Sequence, residues 1–410
     1  MPLSRVFAPE NREILLAGCF VGSLITAGVT SILLLSTRKE RIGNDSDIIP
    51  RSKSRTEIVD GVAGLIGNTP IFRIKSLSEA TGCEILAKAE FLNPGGSPKD
   101  RVALNIIEQA EIAGLLHPNS GSTVFEGTVG STGISLAMIA RAKGYRAWIC
   151  MPDDQAKEKY ELLEKLGATV EKVRPVSIVD PNQFVNLARR RADEFGKGEG
   201  MGEGFFANQF ETVANFEAHY KTTGPEILRQ TDGNIDAVVL GAGTGGTLAG
   251  ITRYLKPRIP NLKVFLADPP GSGLYNRVKH NVMYSPMEAE GKRRRHQVDT
   301  VVEGIGINRI TQNIRLIEGW VDDAVRVTDR EAVLMSRYLV EKDGIFVGSS
   351  SAVNCVGAVK VARMLGPGHR IVTVLCDSGQ RHLTKFWNDK YIEEAGIDTS
   401  VEGEGLDFVL

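Results

Sequence analysis

The sequence predicts an α/β protein built from open, twisted, mostly parallel sheets that are wrapped by helices. Between about residues 58 and 390, apolar stretches typical of strands alternate with glycine-containing turns and amphipathic helical stretches. This alternation is typical of parallel strands joined by crossover helices. Many of the 44 glycines lie in short runs after apolar stretches, which indicates backbone that approaches a ligand.

Six strands and five helices stand out in this pattern. We predict strands at residues 123–126, 146–151, 236–240, 263–267, 345–347 and 371–376. We predict helices at residues 102–113, 135–143, 157–166 and 248–255. A fifth helix should begin at Thr328, because Thr328 and Glu331 have the spacing of a capping box. Since parallel sheets bind ligands at the carboxyl ends of their strands, we expect the functional site in the loops there.

The N-terminal segment differs from the rest of the chain. Residues 14–35 carry no charged side chain, and this run is long enough for one transmembrane helix. Three basic residues follow within 38–41, so the positive-inside rule predicts that the C-terminal part faces the cytosol. We therefore expect a membrane anchor at 1–41 and a polar linker at 42–57. A cleaved targeting segment and a buried soluble helix are the alternatives.

Charge and cysteine usage exclude several classes of protein. The 49 basic and 50 acidic residues give a net charge of -1, so nucleic acid is not an expected partner. The five cysteines form no CxxC pair and no metal-binding spacing. We therefore expect no metal site, and reduced thiols in a non-oxidising compartment.

One lysine stands out because of the turn that precedes it. Lys99 follows the sequence Asn-Pro-Gly-Gly-Ser-Pro at residues 93–98 and leads into a predicted helix. A lysine amine forms a Schiff base with a carbonyl cofactor when its surroundings let it lose a proton. Most lysines are solvated surface charges, and Lys99 taken alone would be interpreted as one of them, so its assignment depends on the other loops.

A glycine-rich loop at residues 241–247 joins the predicted strand 236–240 to a helix. Its backbone N–H groups would surround an anion at the helix N-terminus. Because the loop also fits G-x-G-x-x-G and Asp268 ends the next strand, a dinucleotide site is the rival interpretation. The hydroxyls of Thr244 and Thr247 favour a compact terminal phosphate, and the loop lies late in the chain.

Two further loops follow predicted strands. Residues 126–133 include small side chains that would expose N–H and hydroxyl groups to a second anion, such as a substrate carboxylate. Residues 348–351 bring three serines, which are either helix N-caps or hydroxyl partners for a ligand. With Lys99 and the glycine-rich loop, they supply what pyridoxal phosphate requires: a Schiff-base amine, a phosphate anchor and a partner for the ring nitrogen.

These motifs resemble, in order, those of the cysteine synthase and cystathionine β-synthase family of fold type II pyridoxal-phosphate enzymes. The resemblance covers residues 58–390 and rests on the segments 66–70, 97–101, 209–210, 219–220, 222–226, 243–247 and 303–306, and on Ser350. It implies two sheets, a first domain at 58–213 and a second at 214–390 with chain exchange between them, and a tail at 391–410. It also implies a homodimer.

The resemblance further implies a role for each loop. Lys99 is expected to be the catalytic residue, which holds the cofactor as an aldimine and then removes the α-proton of an amino acid. Loss of the β-substituent would leave an aminoacrylate that adds sulfide, so that O-acetylserine and sulfide give cysteine and acetate. The expected cofactor-binding residues are Lys99, Ser131, Gly243, Thr244, Gly245, Gly246, Thr247 and Ser350. The expected substrate-binding residues are Thr128, Gly130, Thr132, Gln209 and Gly304.

The sequence departs from the family pattern in the loop at 126–133. Val129 stands where the family has serine, Ser131 stands where it has asparagine, and Ala352 replaces a usual glycine. These changes leave β-elimination, cystathionine synthesis and a low-turnover, membrane-tethered cofactor-binding scaffold as alternatives. An anchored member of this family is similar to a fungal branch of the mitochondrial outer membrane, with the ER membrane as the alternative location.

Overall fold

A computed structural model describes residues 58–196, 202–284, 300–400 and 405–410. The predicted anchor helix at 14–35 and the linker at 42–57 lie outside these described residues. Within the described ranges, no helix combines the length and the apolar character that crossing a bilayer requires.

The strands of the described residues form two sheets. They are β1 (Ile71–Arg73), β2 (Glu84–Ala89), β3 (Thr123–Gly127), β4 (Arg146–Pro152), β5 (Thr169–Val173), β6 (Gly204–Phe206), β7 (Ala237–Leu240), β8 (Lys263–Asp268), β9 (Asp323–Arg326) and β10 (Arg370–Leu375). The larger sheet has the order β1-β2-β10-β7-β8-β9, and the smaller one has the order β5-β4-β3-β6. All these strand pairs are parallel except β1 with β2. The predicted α/β class with parallel sheets is therefore confirmed.

Helices cover both sheets. In chain order they are α1 (Lys75–Thr81), α2 (Lys99–Ile112), α3 (Ser131–Ala142), α4 (Lys157–Lys165), α5 (Phe184–Glu194), α6 (Val213–Ala218), α7 (Gly224–Thr231), α8 (Gly246–Leu255), α9 (Leu274–His280), α10 (Gln312–Arg315), α11 (Asp329–Asp343), α12 (Ser349–Leu365) and α13 (Asp389–Glu394). Single 3-10 turns lie at Val62–Leu65, Glu90–Leu92 and Gly379–Arg381, and a π-helical turn lies at His219–Thr223.

Most predicted elements exist, with shifted ends. Three predicted helices start two to four residues earlier than expected, at Lys99, Ser131 and Gly246. In α3 and α8 small residues of the predicted loops form the first helical turn, and in α2 the first turn is Lys99-Asp100-Arg101. The capping box is confirmed, since the Thr328 hydroxyl accepts from the Glu331 N–H while the Glu331 carboxylate accepts from the Thr328 N–H.

The predicted strand at 345–347 is wrong. Only Val347 makes a bridge, to Ser378, and no ladder extends from it. The segment connects Gly344, the C-cap of α11 with φ 67°, to α12, which begins at Ser349. Its side chains pack instead: the Phe346 ring lies 4.5 Å from the Trp387 ring.

The larger sheet is buried on both faces. Val239 packs into an apolar cluster with α11 and α12, whereas its neighbours Val238 and Leu240 pack into a second cluster with α8. Alternate residues of a strand point to opposite faces, which explains the near-continuous apolar sequence of β7. The N-terminal strand β2 pairs with β10, so the first and last parts of the fold share one sheet. The division at residues 213 and 214 stays a prediction.

Candidate active site

A cavity of about 280 Å³ lies where the carboxyl ends of β2, β3, β7 and β10 lead into loops. Most of the residues expected from the sequence line it: Lys99, Thr128, Ser131, Thr132, Gln209, Gly243, Thr244, Gly245, Thr247, Gly304 and Ser350. Gly130 and Gly246 belong to the same loops without lining the cavity. The four loops that the sequence singled out are therefore brought together.

Lys99 is held by the turn that precedes it. The Asp100 carboxylate accepts the Gly95 N–H at 2.5 Å and the Ser135 hydroxyl at 2.5 Å, which ties the turn to α3. A Cβ on Gly95 would lie 2.3 Å from the Asp100 Oδ1 atom, so no other residue fits there. Burial raises the pKa of Asp100 to about 6, although these two hydrogen bonds oppose the shift.

The Lys99 amine is desolvated. Burial lowers the pKa of Lys99, and its Nζ atom has no hydrogen-bond or ion-pair partner among the residues that the structure describes. Nearby His219 does not compete for protons, because burial and the Lys99 charge lower the His219 pKa to about 3. A lysine with a lowered pKa provides the neutral amine that nucleophilic and base chemistry require.

A buried ionic network supports the start of α2, and sequence reasoning missed it. We call Lys88, Glu90, Arg101 and Glu226 the Arg101 network. Arg101 donates to both oxygens of Glu90 at 2.8 Å and to both oxygens of Glu226 at 2.6 and 2.8 Å. Lys88 donates to Glu226 at 2.6 Å. The available signal was Lys88, a charged residue among the apolar residues 85–89 of β2. Its partners could not be predicted, because they are far away in sequence.

The glycine-rich loop has the shape of an anion cradle. The helix α8 begins at Gly246 without a side-chain cap, so its first N–H groups are free for a ligand. Gly245 has φ 89°, and a Cβ on Gly243 would lie 2.5 Å from the Gly304 carbonyl oxygen. Both positions therefore require glycine.

Side chains fix this cradle from behind. The Asn215 amide donates to the Thr244 hydroxyl oxygen at 2.9 Å, which leaves the hydroxyl hydrogen of Thr244 available. The Thr247 hydroxyl lies 3.1 Å from the His219 Nε2 atom. A Cβ on Gly246 would lie 1.9 Å from the Asn215 Oδ1 atom, so this glycine is needed for packing. The cradle therefore fits a phosphate group.

The rival dinucleotide interpretation finds no support in Asp268. This residue is 1% exposed at the end of β8, and it does not line the cavity. Its carboxylate accepts the Tyr275 N–H at 2.7 Å, and burial raises its pKa to about 7. It helps to position the start of α9 and has no access to a ribose.

The loop after β3 was predicted to bind a second anion. The Gly130 N–H donates to the Thr128 hydroxyl at 3.2 Å, and the Thr132 hydroxyl donates to the Gln209 Oε1 atom at 2.5 Å. Gly130 has φ 146°, and a Cβ there would lie 2.7 Å from the Lys159 side chain. Val129 packs against the apolar cluster around Phe184, which explains an apolar residue at this position.

Ser350 and Cys376 lie on the opposite wall. Ser350 is the second residue of α12 and is 8% exposed. Cys376 follows β10, and burial together with the Asp377 charge raises its pKa to about 12 despite a hydrogen bond with Ser350. Both groups are therefore neutral, which suits a hydrogen bond to an uncharged ring nitrogen. Ala352 is fully buried nearby.

The cavity is also lined by a group of charged residues that sequence reasoning did not predict. Lys159 forms an ion pair with Glu303, and the His382 ring lies between Asp377 at 3.0 Å and Glu303 at 3.3 Å. Burial opposes the ionisation of Glu303, but Lys159 lowers its pKa. Burial likewise opposes protonation of His382, but Asp377 raises its pKa. These residues come from separate segments, so no local motif marks them.

Comparisons with known proteins agree with this geometry. The family described as "Pyridoxal-phosphate dependent enzyme" matches residues 62–377. Cysteine synthase 2 of Emericella nidulans is 62% identical, covering 96% of this chain and 98% of the relative. A putative mitochondrial cysteine synthase of Saccharomyces cerevisiae is 55% identical, covering 86% of this chain and 88% of the relative.

A solved structure shows the same fold. The O-acetylserine dependent cystathionine β-synthase of Helicobacter pylori has a TM-score of 0.68 and 30% identity, covering 80% of this chain and 98% of that chain. The fold, the two anion cradles and the desolvated lysine thus coincide with a family model that spans most of the sequence. This chain belongs to the family of pyridoxal-phosphate-dependent enzymes.

Proposed function

We propose that this protein is a cysteine synthase, which converts O-acetylserine and sulfide into L-cysteine and acetate. The observation that carries the proposal is the desolvated amine of Lys99, which has no partner among the described residues and shares one cavity with the glycine-rich cradle and the loop after β3. Relatives that are 55–62% identical over most of this chain are named cysteine synthases.

The chain's own residues fit pyridoxal phosphate. We assign its phosphate to the backbone and hydroxyls of Gly243, Thr244, Gly245, Gly246 and Thr247, its ring nitrogen to Ser350, and its ring face to Ser131. When bound, the cofactor withdraws electrons from the α-carbon of an amino acid. A neutral serine beside the ring nitrogen moderates this withdrawal, which favours loss of a β-substituent over transamination.

The substrate is held and deprotonated by residues of several loops around the cavity. Thr128, Gly130, Thr132 and Gln209 bind the substrate carboxylate, and Gly304 also contacts the substrate. The Lys99 Nζ atom takes the proton from Cα, and acetate leaves Cβ with its bonding electrons. Sulfide then forms the new bond to Cβ, and Lys99 returns the proton to Cα.

A product assay tests the proposal. Purified protein receives O-acetylserine with sulfide, and in a second reaction cysteine alone. We expect cysteine and acetate in the first reaction and little sulfide or pyruvate in the second. Sulfide and pyruvate from cysteine alone, without synthesis in the first reaction, would identify a β-eliminating enzyme instead.

A pair of variants tests the assigned lysine. Lys99→Ala should abolish synthesis and the covalent cofactor absorption band, because the other two lysines of the cavity wall, Lys159 and Lys385, are paired with Glu303. Lys390→Ala is the control, since Lys390 is 84% exposed on α13 and should change neither. A Lys99→Ala protein that retains the covalent band would contradict the assignment.

We also propose that residues 14–35 anchor the protein in the mitochondrial outer membrane with the catalytic part in the cytosol. The uncharged 22-residue run and the basic residues after it support an anchor. The name of the Saccharomyces relative supports the organelle. Alkaline extraction of purified mitochondria and ER membranes tests both points: release into the supernatant would contradict integral insertion, and recovery with the ER would contradict the location.

A homodimer is proposed from the family resemblance. Light scattering of the purified holoenzyme should give twice the mass of one chain. A monomeric mass at assay concentrations would contradict it.

A further inference from the structure

The carboxyl group of Glu126 lies under the proposed carboxylate site. Glu126 is near the end of β3, is 0% exposed, and belongs to none of the roles assigned above. Its two oxygens accept the backbone N–H of Gln209 at 3.1 Å and the Gln209 Nε2–H at 3.3 Å. Among the residues that the structure describes, no lysine, arginine or histidine pairs with it. It is thus a buried acid without a counter-charge.

The groups that face Glu126 from each neighbouring element are uncharged. From β4 comes the Cys150 thiol, whose pKa burial raises to about 12, and from α3 comes Thr132. The backbone N–H groups of Gly127, Asn208 and Gln209 donate to it, as does the Gln209 side-chain amide. Beyond Cys150 lies Glu171, which pairs with Arg191 at 2.8 Å. Burial therefore raises the pKa of Glu126 to about 8, although backbone hydrogen bonds oppose it.

This contact decides which way the Gln209 amide points. Its Nε2 atom lies 3.3 Å from both Glu126 Oε1 and the Gly127 carbonyl oxygen, while its Oε1 atom accepts the Thr132 hydroxyl. In this orientation Gln209 offers no N–H to the cavity, and the Thr132 hydrogen is already used. A carboxylate needs donors, so neither side chain is ready to bind it.

Reversing the Gln209 amide would make hydrogen-bond donors of both Gln209 and Thr132. Its Nε2–H groups would then face the cavity, and the Thr132 hydroxyl would be free to donate as well. The Gln209 Oε1 atom would meet Glu126, and two acceptors would then face each other unless Glu126 carries a proton. A protonated carboxyl donates one hydrogen bond to the reversed amide oxygen, whereas the Gly127 carbonyl oxygen gives up the hydrogen bond that it accepts from Nε2 in the present orientation.

We propose that Glu126 is a positioning residue that takes up a proton from solvent when an amino-acid substrate binds, which reverses Gln209 and turns its N–H toward the substrate carboxylate. The protonated state is the one that binds substrate, and the ionised state holds Gln209 in the unproductive orientation. This inference rests on the proposed function only in requiring an α-amino acid as ligand.

The test is calorimetry of L-alanine binding to the holoenzyme in two buffers of different ionisation enthalpy, which counts the protons exchanged. At pH 9 wild type should take up about one proton more per alanine than Glu126→Gln, whereas at pH 6.5 the two should agree. Above about pH 8 the affinity of wild type should fall up to tenfold per pH unit relative to the variant. Glu126→Gln keeps binding because its amide can donate to the reversed Gln209.

Two further variants keep the test decisive. Gln209→Met should lose the extra proton uptake even if Glu126→Gln folds poorly, because no amide remains to reverse. Glu171→Gln is the matched control, a neighbouring acid with its own arginine, and it should keep the uptake. L-Alaninamide, which lacks the carboxylate, should show no Glu126-linked uptake.

The outcomes separate this proposal from the function above. Equal proton uptake in wild type and Glu126→Gln at pH 9, or uptake that persists in Gln209→Met, would overturn it, as would the absence of alanine binding at every pH. A protein that binds alanine with the expected linkage but makes no cysteine would refute the proposed synthesis alone.

Discussion

Two buried acidic regions support the cavity, and they are built in opposite ways. In the Arg101 network, Glu90 and Glu226 are held ionised: burial opposes this, but Arg101 lowers the pKa of both. Among the residues that the structure describes, Glu126 has no cationic partner, and burial raises its pKa to about 8. The carboxylates of the first region are held ionised, while the carboxyl group of the second changes its protonation state near pH 8.

The difference matches what each region holds. The Arg101 network joins the end of β2, the start of α2 and α7, so it fixes the backbone that carries Lys99. Glu126 holds the backbone N–H of Gln209 with one oxygen and the Gln209 side-chain amide with the other. A fixed ion pair suits a residue that must not move, and a titratable group suits one that must turn.

Removing the central cation should have the largest effect. Arg101→Met leaves Glu90 and Glu226 buried with only Lys88 to compensate, so we expect a loss of about 3–5 kcal/mol in the free energy of unfolding. Urea denaturation measures it. Arg191→Met is the control, because Arg191 pairs with Glu171 at a side chain that is 39% exposed and should cost under about 1 kcal/mol. Similar losses in both variants would contradict a special role for the network.

The second prediction concerns pH. The pKa of Glu126 is higher in the folded than in the unfolded protein. Its contribution to the free energy of unfolding therefore falls as pH rises from about 4.5 to 8. Glu126→Gln removes this penalty. The change that the substitution makes in the free energy of unfolding should therefore be more favourable at pH 9 than at pH 5, by on the order of 3 kcal/mol. Carboxylates of the network act with the opposite sign, losing stability only as pH falls through their lowered pKa values. Parallel stability-pH curves for wild type and variant would contradict the assignment.

The third prediction separates the two cations of the network. Lys88 donates to Glu226 and, at 2.6 Å, to the Thr69 carbonyl oxygen. Lys88→Met still leaves Glu226 bound by Arg101, so we expect a loss of about 1–3 kcal/mol, smaller than that of Arg101→Met. Denaturation of the single and double variants gives the coupling between the cations. A larger loss for Lys88→Met would mean that Lys88 is the main support.

The smallest effect is expected at Val129. Its side chain packs against the apolar cluster around Phe184, so Val129→Ser should cost about 1 kcal/mol of stability through lost burial. Val129 also lines the cavity, but the substitution adds no charge there, so the KM for O-acetylserine should stay within about twofold of wild type. Steady-state kinetics measure the KM. A large gain in synthesis would contradict this prediction and would indicate that a serine at this position acts directly on the substrate.

Sequence reasoning predicted the local parts of this site well. Lys99, the loop at 241–247 and the loop at 126–133 were found because a turn, a strand end and a helix start lie within a few residues of one another. Five of the six predicted strands lie within one residue of the observed ones. The segment 345–347 was predicted wrongly because short apolar runs do not distinguish a strand from packed loop.

The parts that escaped prediction depend on distant partners. Arg101 meets Glu226 across 125 residues, and Lys159 meets Glu303 across 144. No spacing rule connects such residues, because the fold alone brings them together. The protonation state of Glu126 was not predicted for a related reason. A glutamate near a strand end shows no raised pKa in the sequence, because its burial and the lack of a cationic partner among the described residues are known only from the fold.

The place of β2 beside β10 also affects how the chain is made. On the ribosome, Glu84 emerges 286 residues before its partner Arg370. At roughly 5–20 residues per second, the β1–β2 hairpin waits roughly 15–60 seconds with one edge unpaired. An exposed edge of this kind invites pairing with other nascent chains. Slower translation of the intervening segment should therefore lower the yield of folded protein, and a chaperone that covers the hairpin should restore it.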